Sequence, residues 1–318
     1  MIFKQSLAVA TVGISLLASG VVQAAQTVDC KPSKWGKDDE IGAANLVTPE
    51  RVMQASKLIK KGKSQPLGIV IDSKTPAFPP RGLNLQIVQP NQQGGQRLFG
   101  FGGTYNDDLM QLWLGIGSQL DGLGHIGHDG IYYNCNDEKD FAQITGLTKL
   151  GTHNVPPMVG RGLIIDMTKY FDMPSLPAGK YFTADDIQKA SQAQGVEIRE
   201  GDVVLFHTGW TDAKLESAPK EWAQAQPGIS ADAAEWLATQ NVMAVGADTW
   251  GLDVVPPKKG DKIFWGHVVF LKQHGIYILE TMNTGPLVRD GVSEFMFVLG
   301  QPRVRGTVQM IINPVALY

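Results

Sequence analysis

FTADDIQKASQAQGVEIREGDVVLFHTGW, residues 182–210, holds the change of period that decides the fold. Thr183 stands where an N-cap belongs, Asp186 sits three residues on at the capping-box position, and Gly195 supplies a stop, so the first half reads as a helix. "GDVVLFHTGW" then runs apolar without alternation, the mark of a strand buried on both faces. Working outward, "GLIIDM" (162–167) precedes this pair as a strand, and "SADAAEWLATQN" (230–241) with "VMAVGAD" (242–248) repeats the helix–strand order. "GHVVFLKQHG" (266–275) reads as a third helix closed by Gly275, and "IYILET" (276–281) as the strand after it. "EFMFVLG" (294–300) and "VRGTVQMIINPVAL" (304–317) add two more strands. Strands alternating with helices, without a repeat or a shift in composition, define one mixed α/β domain over 25–318.

The N-terminal half is less regular. "TPERVMQASKLIKKGK" (48–63), with Thr48 as cap, predicts a helix within a helical region from Ser33 to Leu58. "SQPLGIVIDSKTPAFPPRG" (64–82) gives a short strand and a proline-rich turn, and the polar, glycine-rich "QPNQQGGQRLFGFGGTYNDD" (89–108) a loop or lid. Its "FGFGG" is no phosphate loop, because no strand–loop–helix with the required lysine follows. "LMQLWLGIG" (109–117) is expected to be a buried strand.

Residues 1–24 carry Lys4, an apolar stretch from Leu7 to Val22 and a Val22-Gln23-Ala24 end, the layout of a secretory signal peptide cut after Ala24. A retained anchor is disfavoured by the short span and by Gly13, Ser15, Ser19 and Gly20 within it. The expectation is a periplasmic or secreted protein, free of the membrane after cleavage. In that compartment Cys30 and Cys135, the only two cysteines, can form a bridge; two independent buried thiols are the alternative. With 43% hydrophobic and 19% charged residues and a net charge of −3, nothing suggests a nucleic-acid partner.

"GSQLDGLGHIGHDG" (117–130) places Asp121, His125 and His128 among glycines. These are the residue types that hold a divalent metal or move a proton, on backbone that can approach a ligand closely. The bland alternative is a surface loop with incidental histidines and an aspartate capping a turn.

The order "GSQLDGLGH", "GRGLIIDM", "FTADDIQKA", "GDVVLFHTGW", "GADTWGLD" and "HVVFLKQHGIYILE" resembles the metal-dependent cyclase/hydrolase family that includes bacterial kynurenine formamidase and isatin hydrolase. The resemblance implies a swivelling β/β/α domain, with a mixed sheet curled into a half-barrel and helices outside, assembled as a homodimer or homotetramer. The family signature H-x-G-T-H-x-D-x-P-x-H places its first two histidines at Gly115 and Gln119, its aspartate at Asp121 and its last histidine at His125. Two metal histidines are therefore replaced. The resemblance implies metal ligation by Asp121, His267 and Glu280, with the Gln119 side-chain oxygen or water filling in, and His125 as acid/base; direct ligation by His125 is the alternative. For His267 and Glu280 a purely structural ion pair is the competing reading. The ion expected is Mn2+ or Zn2+, and the partner a small-molecule substrate whose amide, lactam or related ester bond is hydrolysed. Ring closure by a cyclase, and a binding protein on a decayed hydrolase scaffold, are the rival functions. No G-x-S-x-G elbow offers a serine nucleophile.

His128 has no counterpart in the signature and reads as a supporting or surface residue. His274, at a helix end where a protonated ring would favour the dipole, reads as structural; His153 and His207 carry no motif. Among Trp113, Trp250, Trp265, Phe101 and Tyr105, one or two are expected to wall the substrate site.

Overall fold

The computed structural model describes residues 30–318, so the signal-peptide reading of 1–24 lies outside the described residues. Nine strands form one mixed sheet curled into a half-barrel: β1 (Ser64–Pro66), β2 (Gln119–Asp121), β3 (Met158–Asp166), β4 (Val203–His207), β5 (Ala244–Ala247), β6 (Tyr277–Glu280), β7 (Glu294–Leu299), β8 (Gln309–Ile311) and β9 (Val315–Leu317). Their order is β1-β9-β7-β3-β4-β5-β6-β2-β8. The four central strands, β3 to β6, run parallel, and antiparallel pairs extend the sheet on both sides.

The parallel strands need crossovers, and helices supply them. Helix α1 (Ala184–Gln194) links β3 to β4; its Thr183–Asp186 capping box is formed in both directions, and Gly195 ends it at φ +69°. Helix α2 (Ala231–Thr239) links β4 to β5 and buries Ala233, Ala234, Leu237 and Ala238. Its N-cap, Ser230, makes no capping bond; Asp261 accepts from the Ala231 N–H instead. The crossover from β5 to β6 starts as one α-turn, Trp265–His267, and continues as a π-helix, Val268–His274, ended by Gly275 in the left-handed region. A π-segment widens the turn and often marks a functional site.

Three expectations change. The helical region predicted from Ser33 shrinks to a 3-10 turn, Gly42–Leu46, and an α-helix, Pro49–Ser56, which the Thr48 side chain caps as expected. "LMQLWLGIG" is not a buried strand: Asp107–Leu112 pairs only with Leu83–Val88 in a two-stranded ribbon, leaving Leu109 58% and Met110 50% exposed. The glycine-rich stretch expected as a lid lies at the far end of this ribbon. The C-terminal "VRGTVQMIINPVAL" holds two strands, β8 and β9, because the segment breaks at Asn313–Pro314, and proline cannot donate within a ladder.

Cys30 and Cys135 are bridged, which settles the alternative of free thiols. The bridge spans 105 residues and pins the start of the described chain to the segment after the Asp/His motif. Asn134 reinforces it, donating to the carbonyls of Gly36, Lys37 and Asp39 and accepting from the Ser33 N–H. Cys135→Ser should lower unfolding free energy by about 2–4 kcal/mol, the usual range for a native bridge. Denaturant titration of wild type and variant measures it; coincident midpoints would mean that Asn134 alone holds the segment.

Candidate metal centre

Strand alternation builds the centre. Along β2, Gln119 and Asp121 point to one face of the sheet and Leu120 to the other. Register does the rest: Glu280 of β6 lies opposite Gln119, and Gln309 of β8 lies opposite Asp121, so four polar side chains share one face. On the other face Leu120, Leu279 and Met310 enter the apolar core. His267 reaches the cluster from the single α-turn that opens the last crossover.

All four strand residues and His267 are buried. Ligand atoms of Asp121, His267 and Glu280 lie within 4.8 Å of one another. The His267 Nε2 is 3.1 Å from Glu280 Oε1 and 3.7 Å from Asp121 Oδ2. Asp121 Oδ1 accepts from the Gln309 amide at 2.7 Å, whereas the buried Asp121 Oδ2 has no hydrogen-bond partner. An orphaned carboxylate oxygen facing an imidazole nitrogen and a second carboxylate is a place that favours a cation. Burial, and then the Asp121 charge, push Glu280 well above the usual carboxylate range. Burial opposes a charge on His267, but hydrogen bonds from its ring to Asp253 and Glu280 outweigh it and raise its pKa. A bound divalent ion would displace the ring proton, and two carboxylates with a neutral imidazole then match it in charge and in donor type, so these residues fit the metal expected of them.

Sequence reasoning missed the residue behind His267. Asp253 Oδ2 sits 2.8 Å from His267 Nδ1, and its Oδ1 accepts from the Gly266 N–H at 2.8 Å. A Cβ on Gly266 would come 2.6 Å from that Oδ1, so only glycine lets the carboxylate close on both partners. Asp253 holds the Nδ1 side of the ring and so turns Nε2 toward Glu280 Oε1 and Asp121 Oδ2, the usual carboxylate support for a metal-binding histidine. Asp253→Asn should weaken metal affinity about 10–100-fold. Competition with a chromogenic chelator reads this directly, and unchanged affinity would remove Asp253 from the site.

Gln119 presents its amide nitrogen to the carboxylates. It donates to Glu280 Oε2 and, at 3.4 Å, to Asp121 Oδ1, so ligation through the side-chain oxygen would require the amide to turn over. Gly115, the other replaced position, is filled from elsewhere. A Cβ there would meet Arg81 Nη1 and Gln309 Oε1, each at 2.6 Å, and Arg81 donates to the Gly115 carbonyl at 2.8 Å. A guanidinium thus occupies the space beside the position of the signature's first histidine.

His125 is half-buried on the wall of a cavity of about 310 Å³ that also reaches His267, Glu280 and Arg81. Burial lowers its pKa, only partly countered by Asp121, so the ring is neutral near pH 7 and able to take a proton. The aromatic wall is Phe78, Trp250 and Phe264, with ring centroids 5.7–6.3 Å apart. Of the aromatics read from sequence, Trp250 is in this wall; Trp113 and Phe101 are exposed on and beyond the ribbon. Trp265 instead packs edge-on to His128, 5.7 Å away, and His128 does not line the cavity.

The other histidines bond elsewhere. His207 Nδ1 meets Thr284 Oγ1 at 2.8 Å, and His153 Nδ1 accepts from Gly306 N at 3.2 Å. The dipole role expected of a protonated His274 is corrected: burial, then Lys31 and Lys34, push its pKa down to about 4.

Fold and centre define an α/β half-barrel protein with a buried carboxylate–imidazole cluster at the ends of its strands. The chain belongs to the Cyclase family, whose model matches residues 65–254. It is similar to a crystal structure described as a novel cyclase, with 29% identity over 90% of this chain and 96% of that one and a TM-score of 0.81. Isatin hydrolase A from Ralstonia solanacearum shares the fold at 16% identity, covering 85% of this chain and 97% of its own, with a TM-score of 0.61. A protein from Bacillus stearothermophilus described as a predicted metal-dependent hydrolase does so at 17% identity, covering 80% and 97%, with a TM-score of 0.53. No curated protein matches the chain.

Proposed function

We propose that this protein is a metal-dependent hydrolase that opens an amide, lactam or related ester bond of a small molecule. The observation that carries the reading is the unpartnered Asp121 Oδ2 facing His267 Nε2 and Glu280 inside a substrate-sized cavity. Asp121, His267 and Glu280 would hold the ion, Mn2+ or Zn2+ by donor type. Once bound, such an ion polarises a carbonyl and acidifies water. The rest falls to the chain's own residues. Phe78, Trp250 and Phe264 exclude water and hold the apolar body of the substrate. His125, neutral at rest, takes a proton from the attacking water and passes it to the leaving nitrogen or oxygen. The Arg81 guanidinium, on the same cavity wall, faces the charge that develops on the reacting carbonyl oxygen. The named activity of the isatin hydrolases with this fold supports the lactam as one substrate class to test.

Export, solubility after cleavage and homo-oligomeric assembly remain part of the proposal. The Cys30–Cys135 bridge supports an oxidising compartment. Among the described residues no helix is long and apolar enough to cross a membrane. The test is elemental analysis of the purified protein, followed by a panel of formamides, lactams and lactones assayed with and without chelator. Stoichiometric transition metal and chelator-sensitive turnover are expected. A metal-free protein that binds panel members without turning them over would favour the decayed-scaffold reading instead.

A further inference from the structure

A second cavity of about 250 Å³ lies at the opposite end of the parallel strands from the metal centre. Asn241 and Val242 line it just before β5, and Ile276 just before β6, whereas Glu280 is the last residue of β6. The π-helix separates the two places along the chain: His267, just before it, faces the carboxylates, and His274 at its end faces the second cavity. Another wall is the N-terminal segment from Lys31 to Trp35, held down by the disulfide and by Asn134.

Its chemistry is one-sided. Lys31 Nζ lies 3.0 Å from His274 Nε2, and Lys34 Nζ lies 2.9 Å from Asn241 Oδ1 and 4.5 Å from the Trp35 ring centroid. Among the described residues no carboxylate lines the cavity. The nearby Asp39 is engaged by the hydroxyls of Ser33 and Tyr133. Two ammonium groups that repel each other therefore line one cavity with no carboxylate among its described lining residues, in a chain whose net charge is −3. Repulsion of this kind is relieved by a bound anion. The neutral His274 accepts from Lys31 and so steadies that lysine at the cavity mouth without adding charge. The rest of the lining includes apolar Leu46, Val242 and Ile276, with the Trp35 ring beside Lys34.

We propose that this cavity is a binding site for a small organic anion, a carboxylate on a flat apolar body, with Lys31 and Lys34 holding the carboxylate and Trp35 covering the body. The site is separate from the metal centre and does not depend on the proposed hydrolysis. Isothermal titration with benzoate, benzamide and inorganic phosphate tests it on the full disulfide-bonded protein and on a Lys31→Ala/Lys34→Ala variant. Both lysines are exposed, so thermal unfolding of the variant should match wild type. Benzoate is expected to bind wild type at least about tenfold more tightly than the variant, the scale of one charge-assisted hydrogen bond. Benzamide, which keeps the ring and loses the charge, should bind weakly to both, and phosphate, which keeps the charge and loses the ring, more weakly than benzoate. The same benzoate difference should persist in Asp121→Asn protein, which keeps this cavity while altering the metal centre. Equal benzoate affinity in wild type and the lysine variant overturns the proposal, as does benzamide binding as tightly as benzoate.

Discussion

His267→Ala protein should emerge folded, without its metal and without hydrolytic activity. The imidazole is one of three ligand groups, and its removal leaves Asp121 and Glu280 as two buried carboxylates with only amides to hold them. Loss of affinity should exceed the 10–100-fold expected for the supporting Asp253, because a direct bond is lost rather than an orientation. Asp121→Asn is the companion variant. It keeps size and shape but replaces the orphaned anionic oxygen by a neutral amide, a poorer ligand, and should lower both metal retention and turnover. Elemental analysis of dialysed proteins gives the metal content, and far-ultraviolet circular dichroism confirms the fold. Full metal content and full activity in both variants would mean that the cluster is the structural ion pair considered from sequence. Its neighbours argue against that. A pair formed for stability alone would not leave one carboxylate oxygen unpartnered in the interior, where an unmet acceptor costs about 1–3 kcal/mol.

The parts of this centre differ in how far the sequence reveals them. The helix Ala184–Gln194 and the parallel strands around it are legible because local chemistry and global fold agree: a capping box, a terminal glycine and uninterrupted apolar runs. Gln119 and Asp121 share a face by strand alternation, which any reader of "QLD" can derive once the segment is known to be a strand. The register that brings Glu280 and Gln309 to the same face is set by pairing between segments some 160 and 190 residues apart, and nothing local specifies it. Asp253 closes the landmark "GADTWGLD", but the need for a carboxylate behind His267 emerges only when the helix turn is placed. Arg81 carries no sequence signal at all; it enters the site by filling the space that glycine leaves at 115. The ribbon strand Asp107–Leu112 deceived for a different reason. Apolar residues mark a strand, but whether a second layer covers it is decided by the rest of the chain. The π-helix is hidden for a related reason, since an apolar run such as "VVFLKQ" fits five-residue and four-residue hydrogen bonding alike.

His125→Ala separates proton transfer from metal binding. The ring lines the same cavity as His267 and Glu280, yet it falls outside the group whose ligand atoms converge, and no side-chain hydrogen bond among the described residues ties it to the centre. Removing it should therefore leave the metal in place and cut turnover by about 10²–10⁴-fold, the range of a general base. The pH–rate profile supplies the sign. Burial depresses the His125 pKa, so the base form persists to lower pH than for an ordinary imidazole, and activity should hold until the pH falls through that depressed value. A cation beside Asp121 would push in the same direction, because it offsets the one carboxylate charge that raises the His125 pKa. In the alanine variant that acid-side limb should disappear or move. Metal content decides between the two roles the sequence left open. If His125→Ala loses its metal as fully as His267→Ala, His125 is a ligand, and the proton must be carried by another group on the cavity wall. If metal stays and turnover does not change, His125 has neither role, and Arg81 becomes the residue to vary next, as the remaining polar side chain of that cavity outside the ligand set.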